Sequence, residues 1–277
     1  MTTPSAAARE AAAEWDLELV EKTSSRYSDT WFALRDGTHV VVKVGDPVAR
    51  RREATALGAF RGAAVQVLAA AEGALLLERV LPGDDLRPVA ARDDDLATRI
   101  IGTAVTRLQA DPAPTAGLPP LATLDESFDR FARRPTPDVP ADLVDRTRAL
   151  VRELTVPGAD DVVLHGDLHH ENVLRSGWSD GPDVDWVVID PHGWIGDPVF
   201  DTSVSLLNPH DLIATHPDPV GLTRRRAAVL AEVTGFDRDR IEAWAQAAAL
   251  ISELWCWEDH GFVAGGPLRL AAGLARS

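Results

Sequence analysis

The chain has 277 residues, 45% hydrophobic and 26% charged, which suits a soluble globular protein large enough for two compact units. A net charge of −15, from 28 basic and 43 acidic residues, opposes a phosphate backbone, so nucleic acid is not an expected partner. No apolar run approaches the ~20 residues of a membrane span. Met1-Thr-Thr-Pro has neither the basic start nor the apolar core of a secretion signal, and the lone Cys256 fits a reducing compartment. The expected location is the cytoplasm.

Residues 5–14, rich in Ala and Glu, read as a helix leading into three strands at Leu17–Val20, Thr30–Leu34 and His39–Val44, with Asp36-Gly37 as a hairpin signal. Lys22 and Lys43 are the only lysines, and Lys43 lies in the apolar third strand. It reads either as an edge-strand lysine with its head in water or as a functional group. Ala49–Phe60 reads as a helix and carries Glu53, placed to pair with Lys43. Val65–Ala71 and Ala74–Val80 form a further hairpin around Glu72-Gly73, and Leu81-Pro-Gly-Asp-Asp85 then breaks the pattern. That break divides a strand-rich lobe, residues 1–80, from a helical lobe, residues 81–277. Apolar spacings of three and four mark helices at Asp95–Ala110, Leu124–Arg133 and Ala141–Leu154, with a Pro-rich loop at Asp111–Pro120. Helices at Pro198–Leu207, Leu222–Val233, Arg238–Trp257 and Leu268–Ala275 close the chain. The expected class is α+β, with a cleft between the lobes.

Between the two sets of helices lies Val162–Asp201, which packs ionisable residues between two apolar runs. Such an arrangement is costly for a purely structural loop. Asp167 and Asn172 are five apart, and Asp190 follows 18 residues after Asn172. A carboxylate, an amide oxygen and a second carboxylate are hard ligands of the kind Mg²⁺ takes beside phosphates. Phosphoryl transfer needs this division between a proton-accepting carboxylate and metal-holding oxygens. A capped surface loop is the structural alternative. A metal-dependent hydrolase using His165, Asp167, His169 and His170 is another, as is a nucleotide-binding scaffold without catalysis.

The stretch His165-Gly-Asp-Leu-His-His-Glu-Asn172 resembles the aminoglycoside phosphotransferase family. Ile189-Asp-Pro-His-Gly-Trp-Ile-Gly-Asp-Pro-Val-Phe-Asp201 is similar to the branch containing streptomycin 6-phosphotransferases and hydroxyurea phosphotransferases. Lys43…Glu53 and Leu75-Leu-Leu-Glu-Arg-Val-Leu-Pro-Gly83 also fit it, so the resemblance runs from about Val40 to Asp201. It implies a protein-kinase-like bilobal fold, with ATP and Mg²⁺ as cofactors. Asp167 is then the catalytic base, Asn172 and Asp190 the metal ligands, and Lys43 the phosphate contact held by Glu53. The backbone of Glu78–Val80 receives adenine, and His165 and Asp201 support the loop.

Two departures from the family pattern carry expectations of their own. The hairpin Ser24-Ser-Arg-Tyr-Ser-Asp29 lacks glycine, leaving backbone N–H groups and Ser28 to cover the phosphates. Gly166 replaces the arginine of protein kinases that reads a phosphorylated activation loop, so no activation by phosphorylation is expected. The acceptor is expected to be a small hydroxyl compound, cationic and streptomycin-like, with an amino sugar or hydroxyurea as the alternative. Its candidate contacts are Glu171, His192 and Trp194 beside the loop and Trp255, Trp257, Glu258 and Asp259 in Ser252–His260.

Overall fold

Period-two alternation sorts the N-terminal strand residues between two faces. In the computed structural model, which describes residues 3–23, 28–110, 117–177 and 185–276, these strands are joined by two helices. Helix α1 (Ala6–Glu14) is followed by β1 (Glu18–Lys22), β2 (Asp29–Arg35), β3 (Thr38–Val44), α2 (Pro47–Ala59), β4 (Val67–Ala71) and β5 (Ala74–Glu78). The strands form one antiparallel sheet in the order β1-β2-β3-β5-β4. Asp36 and Gly37 take φ of 51° and 78°, the pair of positive values that a type I′ hairpin requires. Trp31, Ala33, Val40, Val42, Val44 and Leu76 pack on Ala8 and Ala11 of α1. Leu75 and Leu77 point the other way, into the core that holds Ala56 and Leu57 of α2. Lys43, paired with Leu75 across the sheet, shares that second face.

Leu81–Asp85 is not simply a break. Its last four residues form β6 (Pro82–Asp85), the edge of a second sheet with β8 (Val173–Ser176) and β9 (Asp185–Val188). An edge strand of irregular register tolerates Pro82 and Gly83, which explains why the sequence does not look like a strand. A third pairing joins β7 (Val162–Leu164) to β10 (Trp194–Gly196). The remainder is helical: α3 (Arg87–Ala90), α4 (Asp94–Leu108), α5 (Glu126–Arg133), α6 (Ala141–Leu154), α7 (Phe200–Ser203), α8 (His210–Thr215), α9 (Pro219–Thr234), α10 (Arg238–His260) and α11 (Gly266–Leu274).

The helix expected over Pro198–Leu207 is a single α turn, α7, followed by a 3₁₀ turn at Val204–Leu207. Thr202, Ser203 and Ser205 each donate a hydroxyl bond to the carbonyl three residues back, a local alternative to regular helix. Helix α10 runs through the middle of this part, with Trp244, Ala245 and Ala247–Ile251 all buried. Near its end the buried Glu253 accepts the N–H groups of Ala264, Gly265 and Leu268, tying down the start of α11. Arg226 of α9, also buried, binds Asp94 at the start of α4 and the carbonyls of Ser205 and Asn208. No helix among the described residues is long and apolar enough to cross a membrane.

Candidate active site

Strand β7 delivers the chain into the loop His165–Asn172, and His165 organises it. Its N–H donates to Asp201 Oδ2 at 2.9 Å, and Gly166 N–H donates to Asp201 Oδ1 at 2.8 Å. His165 Nδ1 accepts the N–H of Asp167 at 3.2 Å, so Nε2 carries the ring proton and donates to Ile189 O at 2.8 Å. Complete burial lowers the His165 pKa to about 4 and keeps the ring neutral. Burial likewise pushes the Asp201 carboxyl up to about 7, with the two amide donors acting against it. Gly166 has φ of 81°, and a Cβ there would lie 2.3 Å from Trp194 Cδ1. Both backbone and space demand glycine, so no arginine fits at this position.

Asp167 Oδ2 lies 3.7 Å from His169 Nε2 and 3.7 Å from His192 Nε2. Burial raises its pKa, but the neighbouring His169, His192 and His165 imidazoles outweigh it, His169 most, and the net direction is down. The Asn172 amide nitrogen donates to Asp167 O at 2.9 Å, which commits the nitrogen to the loop and leaves the amide oxygen as the group for a metal.

Lys43 comes from an interior strand and is only 5% exposed, which removes the edge-lysine reading. Its Nζ donates to Glu53 Oε1 at 2.9 Å and to Asp190 Oδ1 at 2.6 Å. Glu53 is 2% exposed and also pairs with Arg50, one turn earlier on α2. Burial raises its pKa while Lys43 opposes the rise. Asp190 sits at φ of 59°, a left-handed position that aspartate tolerates better than most residues. The preceding Ile189 N–H donates to Asn172 O at 3.0 Å. Hydrogen bonds therefore link Glu53, Lys43 and Asp190 from the N-terminal sheet to the loop of Asp167 and Asn172.

Other expected site residues have different settings. Ser28 shares a 2.7 Å hydrogen bond with Thr30, while Ser24–Tyr27, and with them most of the expected phosphate cover, lie outside the described residues. Glu78 donates its N–H to Gln66 O at 3.1 Å, its carboxylate accepts Gln66 N–H, and Val80 is buried. Glu171 forms a 2.7 Å ion pair with Arg87. At the end of α10, Trp255 donates to Ser127 Oγ at 2.9 Å, and Arg130 donates to Glu258 at 2.9 Å. Trp257 donates to Arg134 O at 2.7 Å, under the Arg134 guanidinium, and Asp259 is exposed. These contacts fix the aromatic cluster to α5 and its end; none of them joins it to the Asp167 loop.

The histidine cluster does not converge on a metal. Both ring nitrogens of His165 are committed, and the His170 ring is buried, with neither nitrogen hydrogen-bonded among the described residues. Among the described residues no group of three or more His, Cys, Asp and Glu is arranged to hold a metal ion. Sequence reasoning missed Arg50, and also Asp197, which accepts from Trp244 at 2.6 Å and Arg240 at 2.7 Å. The run Gly196-Asp-Pro198 marks the turn, but the partners lie more than 40 positions away.

A family model described as "aminoglycoside/hydroxyurea antibiotic resistance kinase" matches residues 15–261. A streptomycin 3″-kinase from Klebsiella pneumoniae is 36% identical over 202 residues, 69% of this chain and 70% of the relative. A streptomycin 6-kinase from Streptomyces griseus is 35% identical over 252 residues, 85% of this chain and 76% of the relative. Among solved structures, a choline/ethanolamine kinase family protein from Mesorhizobium loti superposes with a TM-score of 0.68 at 14% identity, covering 97% of this chain and 95% of that one. The fold is therefore kinase-like, with a small antiparallel sheet and a larger helical part.

Proposed function

Because the chain belongs to the aminoglycoside/hydroxyurea antibiotic resistance kinase family, we propose that it transfers the γ-phosphate of ATP to a hydroxyl of an aminoglycoside, streptomycin first. The observation that carries the reading is the hydrogen-bonded line Glu53–Lys43–Asp190 facing the loop of Asp167 and Asn172. It is the layout that phosphoryl transfer needs, with a phosphate-binding cation set beside metal-holding oxygens and a proton acceptor.

In this mechanism the nucleotide lies between the sheet of residues 1–80 and the part formed by residues 81–277, its base edge against the backbone of Glu78–Val80. Lys43 orients the phosphates and offsets the charge that spreads over their oxygens during transfer. Asp167 positions the acceptor hydroxyl and takes its proton; its lowered pKa keeps it ionised for that task. Mg²⁺ would be held by the Asn172 amide oxygen and Asp190, both hard donors, and would supply neutralisation of phosphate charge. A cationic acceptor is supported by the protein's charge of −15.

The test is incubation of purified protein with ATP, Mg²⁺ and a panel of streptomycin, other aminoglycosides, amino sugars and hydroxyurea. Streptomycin carrying one added phosphoryl group by mass spectrometry is the expected product, and Asp167→Ala should abolish it while ATP binding persists. Phosphorylation of hydroxyurea or neutral sugars with no aminoglycoside modified would overturn the substrate assignment.

A further inference from the structure

His169 is the one member of the histidine run whose ring faces the reacting groups, and the mechanism above gives it no part. It caps the 3₁₀ turn His170–Asn172, where its Nδ1 accepts the N–H of Glu171 at 3.2 Å. A neutral imidazole that accepts at Nδ1 must carry its proton on Nε2. That nitrogen lies 3.7 Å from Asp167 Oδ2 and 3.3 Å from the Asn172 amide nitrogen, whose two hydrogens are directed at Asp167 O (2.9 Å) and Oδ2 (3.5 Å). The cap therefore fixes both the tautomer and the direction in which the ring's N–H points.

We propose that His169 is a positioning residue: its cap-locked Nε2–H holds the Asp167 carboxylate in the rotamer that meets the acceptor hydroxyl. This rests on Asp167 being the base. The carboxylate has a free torsion, and its other side-chain contacts are a long hydrogen bond and an exposed ring. Asn172 Nδ2 donates to Oδ2 across 3.5 Å, and His192, 57% exposed in its side chain, lies 3.7 Å from the same oxygen. The Nε2–H closes toward Oδ2 once substrate tightens the site, as catalytic hydrogen bonds commonly do.

Two substitutions separate this role from the cap. Asparagine reproduces the Nδ1 acceptor and retains the cap, but presents no N–H at the Nε2 position. Glutamine places an amide N–H near Nε2 and lacks the cap geometry. His169→Asn should fold normally and lower kcat at least tenfold, with KM for ATP within about twofold of the original. His169→Gln should recover most of the lost turnover at a lower melting temperature, and His169→Ala should show both defects. Turnover is followed on streptomycin and also as slow ATP hydrolysis without acceptor, so a wrong substrate assignment does not hide the result. Asp167→Asn is run in parallel: if it keeps both activities, the catalytic assignment itself fails. If Asp167→Asn is inactive while His169→Asn matches the original enzyme, or while His169→Asn outperforms His169→Gln, His169 is a cap only and the inference falls.

Discussion

His170 offers a quantitative test of how the loop is built. Its ring is 1% exposed, neither nitrogen is hydrogen-bonded among the described residues, and it lies near the buried Arg226. Burial first, and the guanidinium second, lower its pKa from 6.5 to about 3. The folded chain therefore excludes a proton that the unfolded chain binds below pH 6.5. Stability is full above that value and falls as pH drops toward 3. At about pH 4.5 the difference is about 2 pH units at ~1.4 kcal/mol each, or roughly 3 kcal/mol.

The perturbation is His170→Leu, measured against the unchanged protein by urea unfolding at about pH 7.5 and pH 4.5. At the higher pH leucine should cost little, because an unpaired buried imidazole already carries a desolvation penalty of roughly 1–3 kcal/mol. On acidification the variant should gain about 2–3 kcal/mol relative to the original, whatever the remaining groups do, since they cancel in the comparison. A gap that stays constant with pH would refute the claim that the fold holds this ring neutral. His165 gives the contrast: its pKa is also lowered, to about 4, but its ring is bonded at both nitrogens, so His165→Leu should be damaging at every pH.

Further expectations follow from other contacts. Gly166→Ala adds left-handed strain and a clash with Trp194, and should cost about 2–4 kcal/mol in urea unfolding. Adding Trp194→Ala should recover the steric part only. Glu53→Gln weakens the support of Lys43 and should lower kcat/KM for ATP by about tenfold or more, with less effect on the acceptor KM, in steady-state assays. Glu253→Ala leaves the N–H groups of Ala264, Gly265 and Leu268 without their acceptor. Hydrogen exchange should rise across residues 264–274, with stability lower by roughly 1–3 kcal/mol.

What was legible in the sequence, and what was not, divides along local and long-range physics. Alternation and turn chemistry exposed β2, β3 and their hairpin, because those signals lie within a few residues. Lys43 and Glu53 stood out as a pair because they are ten apart on adjacent elements. Segments shaped by distant partners were misread. Pro82–Asp85 is a strand only because β8 lies beside it, and α8, with six residues, is too short to show a period. At the end of α10, Trp255, Glu258 and Trp257 are engaged by Ser127, Arg130 and Arg134, more than 120 positions earlier, contacts that no local signal in Ser252–His260 announces. His169 and His170 are adjacent in sequence and chemically identical, yet one faces Asp167 and the other enters the core. Composition carries no trace of that choice; the 3₁₀ turn makes it.

The bonding of His165 also sets a length. One nitrogen of the ring reads the amide of Asp167, and the other reads the carbonyl just before Asp190. No rotatable bond lies between those nitrogens. The imidazole thus works as a gauge block between the backbone beneath Asp167 and the backbone leading to Asp190. A flexible amide in its place would permit similar hydrogen bonds, but would let the gap between the two carboxylates drift with every torsional fluctuation.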